Sequence, residues 1–262
     1  MSLNFKSYGE GPPVIILHGL FGMLDNWRTI ATKLAEDYSV YLLDQRNHGR
    51  SPHYPSHTYQ EMAADVAEWM KENHIEEAYI IGHSMGGKTA IQLTYDYPDM
   101  VDKLIVVDIA PKQYSGGHEA IISALQSVPI NEVESRGEVE AHLAKTINSK
   151  GVIMFLMKNL TRKKEGGFEW KMNLDVLDEF YRDHIINAPV YSKSIKTPTL
   201  FIAGGKSNYI TEADREDISK LFTEVSHEIC PGAGHWVHAE KPNELIQTVK
   251  NYFNSRFAER IL

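Results

Sequence analysis

The chain has 262 residues, 42% of them hydrophobic and 24% charged, and a formal net charge of −8. This length fits one large α/β domain, or a domain that carries a sizeable insertion. The negative charge and the lack of a basic stripe argue against nucleic acid as a partner, because phosphates are neutralised by lysine and arginine.

The cysteine content and the hydropathy indicate the compartment. Cys230 is the single cysteine, so no intrachain disulfide can form, and we interpret it as a small core residue. The N-terminal residues lack the apolar segment of a signal peptide. No run reaches the roughly 18 apolar residues that a membrane span requires. We therefore expect a cytoplasmic protein without a membrane span, and the sequence leaves its oligomeric state open.

Apolar runs alternate with amphipathic segments over the first 111 residues. Continuous apolar runs, typical of strands buried on both faces, lie at 13–17, 40–44, 79–81 and 104–108. Helices are predicted at 24–36 with Asp25 or Asn26 as N-cap, after the Thr58–Glu61 capping box, and from Ser84 to Tyr97. This alternation predicts a parallel sheet with helices on both faces.

The alternation is interrupted once. Between about residues 112 and 194 there is no buried strand run, only amphipathic and turn-rich sequence, which indicates an inserted helical cap. The pattern then resumes with a strand at 199–203, a helix at 211–222, a strand at 228–230 and a last helix from Pro242. The predicted domains are therefore a core of residues 1–111 and 195–262 and a cap of residues 112–194.

Residues 82–86 spell Gly-x-Ser-x-Gly, directly after an apolar run. In this pattern a strand ends, the chain turns sharply at the serine, and a helix begins at once. The turn holds the Ser84 hydroxyl clear of the sheet, and the N–H of Met85 faces the same space. The motif therefore predicts that Ser84 is a nucleophile.

The same letters allow a second interpretation. Residues 82–89 also fit the phosphate-binding loop Gly-x-x-x-x-Gly-Lys-Thr, and Asp108 could then be its magnesium-binding aspartate. That alternative leaves His18-Gly19 and Gly234-His235 without a role. It also places the loop three strands into the fold, whereas such loops usually follow the first strand. These two points favour the nucleophile.

Two further motifs fit acyl transfer. His18-Gly19 ends the first buried strand, so the N–H of Leu20 can pair with that of Met85 as donors to a tetrahedral oxyanion. A glycine-rich loop after the last strand carries His235, which supplies the base that an activated serine needs.

Four motifs in this order resemble the α/β-hydrolase superfamily over nearly the whole chain, and more narrowly the small YbfF-type esterases. The motifs are His-Gly at 18–19, Asp-x-Arg-x-His-Gly-x-Ser at 44–51, Gly-x-Ser-x-Gly at 82–86 and Gly-x-Gly-His at 232–235. The narrower resemblance lies in residues 18–22, 25–27, 46–49, 82–88, 107–111, 166–170 and 173–174. It implies an α/β-hydrolase fold, a mostly parallel sheet with helices on both faces and an inserted helical cap, and it accounts for Lys88 without a phosphate.

The acid of the site departs from the usual pattern of the superfamily. Most members carry it in the loop after the penultimate strand, where this chain has Ser207. Glu212 and Asp214 follow in the first turn of a helix, where carboxylates are commonly dipole partners. Asp108, at the end of the preceding core strand, is the better candidate. The resemblance to YbfF-type esterases implies the same shift, with a serine in a supporting role at the vacated position.

The resulting hypothesis is a serine carboxylesterase for short- to medium-chain acyl esters, with Ser84, His235 and Asp108 as triad and Leu20 and Met85 as oxyanion donors. It implies a small-molecule acyl ester as substrate and neither metal nor cofactor. The alternatives are an acyl-CoA thioesterase, which needs the same site, and a ligand receptor that keeps the triad without turnover.

The remaining polar residues receive structural interpretations. His48, His53 and His57 lie close in sequence, but no carboxylate or cysteine spacing completes a zinc site. We interpret His83 as a packing and hydrogen-bonding residue and His238 as a surface residue. Asp44 and Arg46 are expected to support the loop near the elbow. The Met and Phe clusters of the cap are expected mainly to pack within it, with some of them lining the acyl pocket.

Overall fold

A computed structural model describes residues 2–255 of the chain. The strands are β1 (Phe5–Tyr8), β2 (Pro13–Leu17), β3 (Ser39–Leu43), β4 (Ala78–His83), β5 (Val101–Val107), β6 (Leu160–Arg162), β7 (Phe168–Trp170), β8 (Thr199–Gly204) and β9 (Val225–Cys230). The α-helices are α1 (Arg28–Leu34), α2 (Tyr59–Glu72), α3 (Met85–Asp96), α4 (Glu119–Gln126), α5 (Arg136–Leu143), α6 (Lys150–Met157), α7 (Leu174–Phe180), α8 (Glu212–Leu221), α9 (Val237–Glu240) and α10 (Pro242–Asn254).

Seven strands form one sheet in the order β1-β3-β2-β4-β5-β8-β9. All neighbouring pairs are parallel except β1 with β3. The carboxyl ends of β4, β5, β8 and β9 therefore lie side by side at one edge of the sheet. Ligands of open α/β sheets bind at this edge, and it is where Ser84, Asp108, Ser207 and His235 follow their strands.

The sheet is buried on both faces because each of its inner strands contains a continuous apolar run. Along β2, Val14 and Ile16 pack on one face with α1 and α10, while Ile15 and Leu17 pack on the other with α2, α3 and α8. The capping box predicted for α2 is present, since Thr58 and Glu61 exchange hydrogen bonds between side chain and backbone. Cys230 is buried in this core, as predicted.

Residues between β5 and β8 form α4 to α7, a π-helical turn at Tyr181–Ile185 and the antiparallel hairpin of β6 and β7. This hairpin was not predicted, because each of its strands has only three residues. The helices share an apolar cluster that also takes in Phe21, Tyr59 and Met85. The segment therefore packs against the loop after β2 and against the start of α3.

The structure corrects the sequence analysis at the first strand and the first helix. β1 was not predicted, because its four residues are mostly exposed and lie on the sheet edge. The predicted helix 24–36 is instead a 3₁₀ turn at Leu24–Trp27 followed by α1. Neither predicted N-cap is correct, since Asn26 lies inside the 3₁₀ turn and accepts a hydrogen bond from the N–H of Met23 at 2.7 Å. Within residues 2–255, no helix has the length and apolar character to cross a bilayer.

Candidate active site

Ser84 occupies the sharp turn between β4 and α3. Its φ of 52° and ψ of −121° are strained for a residue with a side chain. Neighbouring glycines make room for the turn: a Cβ at Gly82 would overlap the carbonyl oxygen of Gly86, and one at Gly86 would overlap that of Leu17. This is the strand–turn–helix arrangement that the Gly-x-Ser-x-Gly pattern predicts.

The structure brings the three predicted site residues within hydrogen-bonding distance of one another. The Nε2 atom of His235 lies 3.1 Å from the Ser84 hydroxyl, and its Nδ1 atom lies 2.7 Å from Asp108 Oδ2. Since an ionised carboxylate only accepts hydrogen bonds, Nδ1 carries the proton and Nε2 is free to accept one from Ser84. The imidazole of His235 and the hydroxyl of Ser84 are therefore in the geometry that a proton transfer between them requires.

Asp108 is completely buried and has a φ of 51°. Its Oδ1 atom accepts a hydrogen bond of 2.9 Å from the N–H of Gly204, and its Oδ2 atom accepts one of 2.5 Å from the Ser207 hydroxyl. Ser207 thus supports Asp108, as the resemblance implies. Asp214 is engaged elsewhere, because it pairs with Lys112 at 2.7 Å and closes a capping box with Thr211.

The loop after β2 is held by buried histidines. His18 accepts a hydrogen bond from the N–H of Gln45 at 3.0 Å, and His48 accepts one from the N–H of Phe21 at 3.2 Å. The N–H groups of Leu20 and Met85 have no acceptor within the described part of the chain, and Met85 is the first residue of α3. Both residues lie beside Ser84 along the wall of one cavity. Their N–H groups are therefore available to a ligand.

Tyr209 holds the His235 side chain, and His83 holds the loop that carries it. Tyr209 was not predicted as a site residue. The Tyr209 ring stacks on the imidazole with a centroid distance of 3.8 Å and an interplanar angle of 19°. His83 donates from Nε2 to the carbonyl oxygen of His235 at 2.8 Å, which agrees with the hydrogen-bonding role predicted for it. The available signal for Tyr209 was its position two residues after Ser207, in a loop that lies next to the histidine loop.

The prediction that His238 is a surface residue is wrong. His238 is 7% exposed and stacks on Trp27 with a centroid distance of 4.5 Å. Its ring also meets His83 edge-on at 4.8 Å. The misplacement arose because α9 has only four residues and turns His238 inward beneath the site.

Two cavities meet at Ser84, and Leu20 and His118 also line both of them. The walls of the apolar lobe include Trp27, Ile121, Val152, Phe155, Leu156 and Trp236. The walls of the tyrosine lobe include Tyr59, Lys88, Tyr114, Tyr181, Ile185 and Tyr209. Phe155 and Leu156, from the segment between β5 and β8, pack in the apolar cluster of that segment and also line the apolar lobe.

Comparison with known proteins identifies the family. A family model for the alpha/beta hydrolase fold matches residues 12–129. Over 97% of the chain and 100% of the relative, the sequence is 38% identical to Esterase YbfF from Escherichia coli strain K12. The chain belongs to the α/β-hydrolase family, among the YbfF-type esterases. This α/β-hydrolase is also 36% identical to an sn-1-specific diacylglycerol lipase from Xenopus laevis, over 94% of the chain and 79% of that protein.

A solved structure of a marine microorganism esterase matches the α/β-hydrolase with a TM-score of 0.94 and 42% sequence identity, over 96% of this chain and 99% of that one. The predicted fold class and the predicted class of enzyme, an ester hydrolase, are confirmed. The phosphate-loop interpretation of residues 82–89 is therefore wrong. Lys88, which fits the lysine of that motif, is buried and donates hydrogen bonds to backbone carbonyls instead.

The other polar residues of the α/β-hydrolase make structural contacts. Asp44 accepts hydrogen bonds from the N–H groups of Leu24 and Arg50 at 2.7 and 2.9 Å, and Arg46 pairs with Asp65 at 2.6 Å. These contacts hold the loop after β3, as predicted. Across residues 2–255 no group of three side chains is arranged to hold a metal ion.

Buried neutral histidines should make the stability of the protein depend on pH. Burial lowers the pKa of His57 and of His238 to about 3, against an ordinary 6.5. The contribution of these neutral histidines to the free energy of unfolding is complete above pH 6.5. It is lost as the pH falls from 6.5 toward 3, because the unfolded chain binds protons at a higher pH than the folded protein does. For each histidine, the free energy of unfolding should fall by about 1.4 kcal/mol for every unit by which the pH drops within this range.

Chemical denaturation between pH 7 and pH 4.5 measures this slope. His238→Phe, which keeps the stack on Trp27, should reduce the slope by about 1.4 kcal/mol per pH unit. An unchanged slope in His238→Phe would show that His238 is protonated in the folded protein.

Proposed function

We propose that this α/β-hydrolase is a serine carboxylesterase for short- to medium-chain acyl esters, with Ser84, His235 and Asp108 as its catalytic triad. The observation that carries the proposal is the unbroken series of hydrogen bonds from the Ser84 hydroxyl through His235 to Asp108. A serine becomes a competent nucleophile when a base accepts its proton and a third group orients that base.

In the proposed acylation step, Ser84 Oγ attacks the ester carbonyl carbon while its proton moves to His235 Nε2. The N–H groups of Leu20 and Met85 donate hydrogen bonds to the oxyanion that forms, and losing one such donor typically costs roughly 10²–10³ in rate. As the carbon–oxygen bond to the alcohol breaks, the imidazolium returns its proton to the departing oxygen. The acyl group remains as an ester of Ser84.

Water then takes the place of the alcohol. His235 removes a proton from the water molecule as its oxygen attacks the acyl-enzyme, and it gives that proton to Ser84 Oγ when the carboxylic acid leaves. Asp108 stays ionised throughout and stabilises the imidazolium. The stacked ring of Tyr209 adds its electron-rich face to the same cation, an interaction of about 0.5–2 kcal/mol.

Relatives support the substrate class. The proteins similar over nearly the whole chain are named an esterase and an sn-1-specific diacylglycerol lipase. Both names describe carboxylic ester hydrolysis, which is what the site here suits. We further propose that residues 112–194 act as a cap over a core of residues 1–111 and 195–262, and that the protein acts in the cytoplasm.

Labelling with a fluorophosphonate and turnover of p-nitrophenyl acetate and butyrate test the proposal. We expect stoichiometric labelling of Ser84 and turnover of both esters. Labelling without turnover would favour the receptor alternative. A value of kcat/KM that is higher for butyryl-CoA than for ethyl butyrate would favour the thioesterase.

The cap should restrict acyl length, because helices between β5 and β8 supply walls of both lobes beside Ser84. We expect kcat/KM to fall at least roughly tenfold from butyrate to palmitate esters of p-nitrophenol, since a closed pocket rejects added methylenes sterically. A series of C2 to C16 esters measures this dependence. A flat or rising profile would contradict the proposed restriction.

A further inference from the structure

Lys88 is a buried lysine one helical turn beyond Ser84 in α3. Its side chain is 1% exposed, and its Nζ atom donates hydrogen bonds of 3.1 and 2.8 Å to the carbonyl oxygens of Ile186 and Asn187. A protonated lysine has three N–H donors, so these two bonds leave one donor free. Lys88 also lines the tyrosine lobe together with Ser84.

No carboxylate compensates the Lys88 charge within the part of the chain that the structure describes. The Tyr114 ring face, 4.9 Å from Nζ, and the Tyr59 ring face, at 5.6 Å, are its other neighbours. The nearby Lys112 is paired with Asp214. Burial, reinforced by the Lys112 charge, lowers the pKa of Lys88 to about 7. A buried cation without a counter-ion is unfavourable, and a bound anion would relieve this cost.

The two phenols whose rings contact Lys88 are already engaged. Tyr59 donates its hydroxyl proton to the carbonyl oxygen of Ile185 at 2.6 Å, and Tyr114 donates to that of Tyr209 at 2.7 Å. Lys88 is therefore the group in this wall best able to bind an anion.

The position of His235 indicates which half of an ester enters which lobe. His235 lines the apolar lobe but is absent from the walls of the tyrosine lobe. Because His235 must protonate the departing alcohol, the alcohol lies in the apolar lobe and the acyl chain in the tyrosine lobe. Four residues of α-helix rise about 6 Å, so the backbone positions of Ser84 and Lys88 are separated along α3 by roughly the length of a short acyl chain.

We propose that the tyrosine lobe binds acyl chains that end in a second carboxylate, and that Lys88 pairs with this distal carboxylate. The substrates would be half-esters of four- to six-carbon dicarboxylic acids. This inference rests on the proposed esterase function and specifies its substrate class.

The test compares monoethyl succinate, glutarate and adipate with ethyl butyrate, valerate and hexanoate, and measures released ethanol. For the wild-type protein, kcat/KM should be higher for at least one half-ester than for the neutral ester of equal chain length. Lys88→Gln keeps amide donors for the two carbonyls but removes the charge. It should lower the ratio of half-ester to neutral-ester kcat/KM by roughly 10- to 100-fold, the range for one hydrogen bond to a charged group.

Two controls distinguish a direct pair between Lys88 and the distal carboxylate from a general effect of charge near the lobe. Lys112→Met removes a neighbouring charge outside the lobe and should change the ratio less than about threefold. In Ser84→Ala protein, calorimetry should show tighter binding of the preferred half-ester than of its neutral counterpart, and Lys88→Gln should abolish the difference.

The outcomes distinguish this inference from the proposed function. Turnover of neutral esters with no preference for half-esters, or with an equal ratio in Lys88→Gln, would overturn the role of Lys88 and leave the esterase standing. Equal loss of both substrate classes in Lys88→Gln would assign Lys88 to structure alone. Absence of Ser84 labelling would refute the esterase, whereas the binding measurement would still decide the anion site.

Discussion

Ser84→Ala should lose fluorophosphonate labelling and lower kcat for p-nitrophenyl butyrate by roughly 10⁶, the loss seen when the nucleophile of a comparable triad is removed. The reason is that the acyl-enzyme cannot form without the Ser84 oxygen. Stopped-flow and steady-state assays measure the loss, and mass spectrometry measures the labelling. Circular dichroism should be unchanged, because alanine has to adopt the same backbone angles at this turn.

Ser127, whose hydroxyl donates to the carbonyl oxygen of Ala124 at 2.8 Å, offers a matched control. Ser127→Ala should keep both labelling and turnover. If Ser84→Ala is still labelled at stoichiometric level, another residue is the nucleophile and the proposed mechanism is wrong.

The elbow could be predicted from sequence because its constraints are local. Gly82 and Gly86 are required by backbone contacts within five residues of chain and with the neighbouring strand β2. The local sequence is therefore enough to predict the geometry of the turn. The alternation of strands and helices could also be predicted from the sequence, since strands buried on both faces are continuous apolar runs. These two signals predicted the parallel sheet and the edge at which the site lies.

The remaining features depend on contacts between distant parts of the chain. His238 belongs to a four-residue helix, and its stack on Trp27 joins positions that are more than 200 residues apart. β1 pairs with β3 only at the sheet edge, and its exposed residues carry no apolar pattern. Within residues 2–255, the lack of a counter-ion for Lys88 likewise depends on which carboxylates the fold brings near it. Short-range patterns contain none of this information.

Asp108 combines both kinds of information. The sequence showed that Ser207 cannot ionise and that Asp108 ends a core strand. The fold adds that β5 pairs with β8, so the Gly204 N–H and the Ser207 hydroxyl both reach the carboxylate. The hydrogen bonds from these two donors and from His235 fix the orientation of the buried carboxylate.

Asp108→Asn should retain the fold and ester binding but lower kcat by roughly 10³–10⁴, as the wrong histidine tautomer does in Ser-His-Asp enzymes. An asparagine amide can donate to His235 Nδ1, which places the imidazole proton on Nε2. Nε2 can then no longer accept a proton from Ser84.

Asp214→Asn and Ser207→Ala are the matched controls, and each should reduce kcat far less. Asp214 pairs with Lys112 and caps α8, and Ser207 provides one hydrogen bond to Asp108, worth about 0.5–3 kcal/mol. Steady-state kinetics with p-nitrophenyl butyrate, checked by thermal unfolding of each variant, decides the assignment. If Asp214→Asn abolishes turnover while Asp108→Asn remains active, the acid lies in the loop after β8 and Asp108 serves only to cap the backbone there.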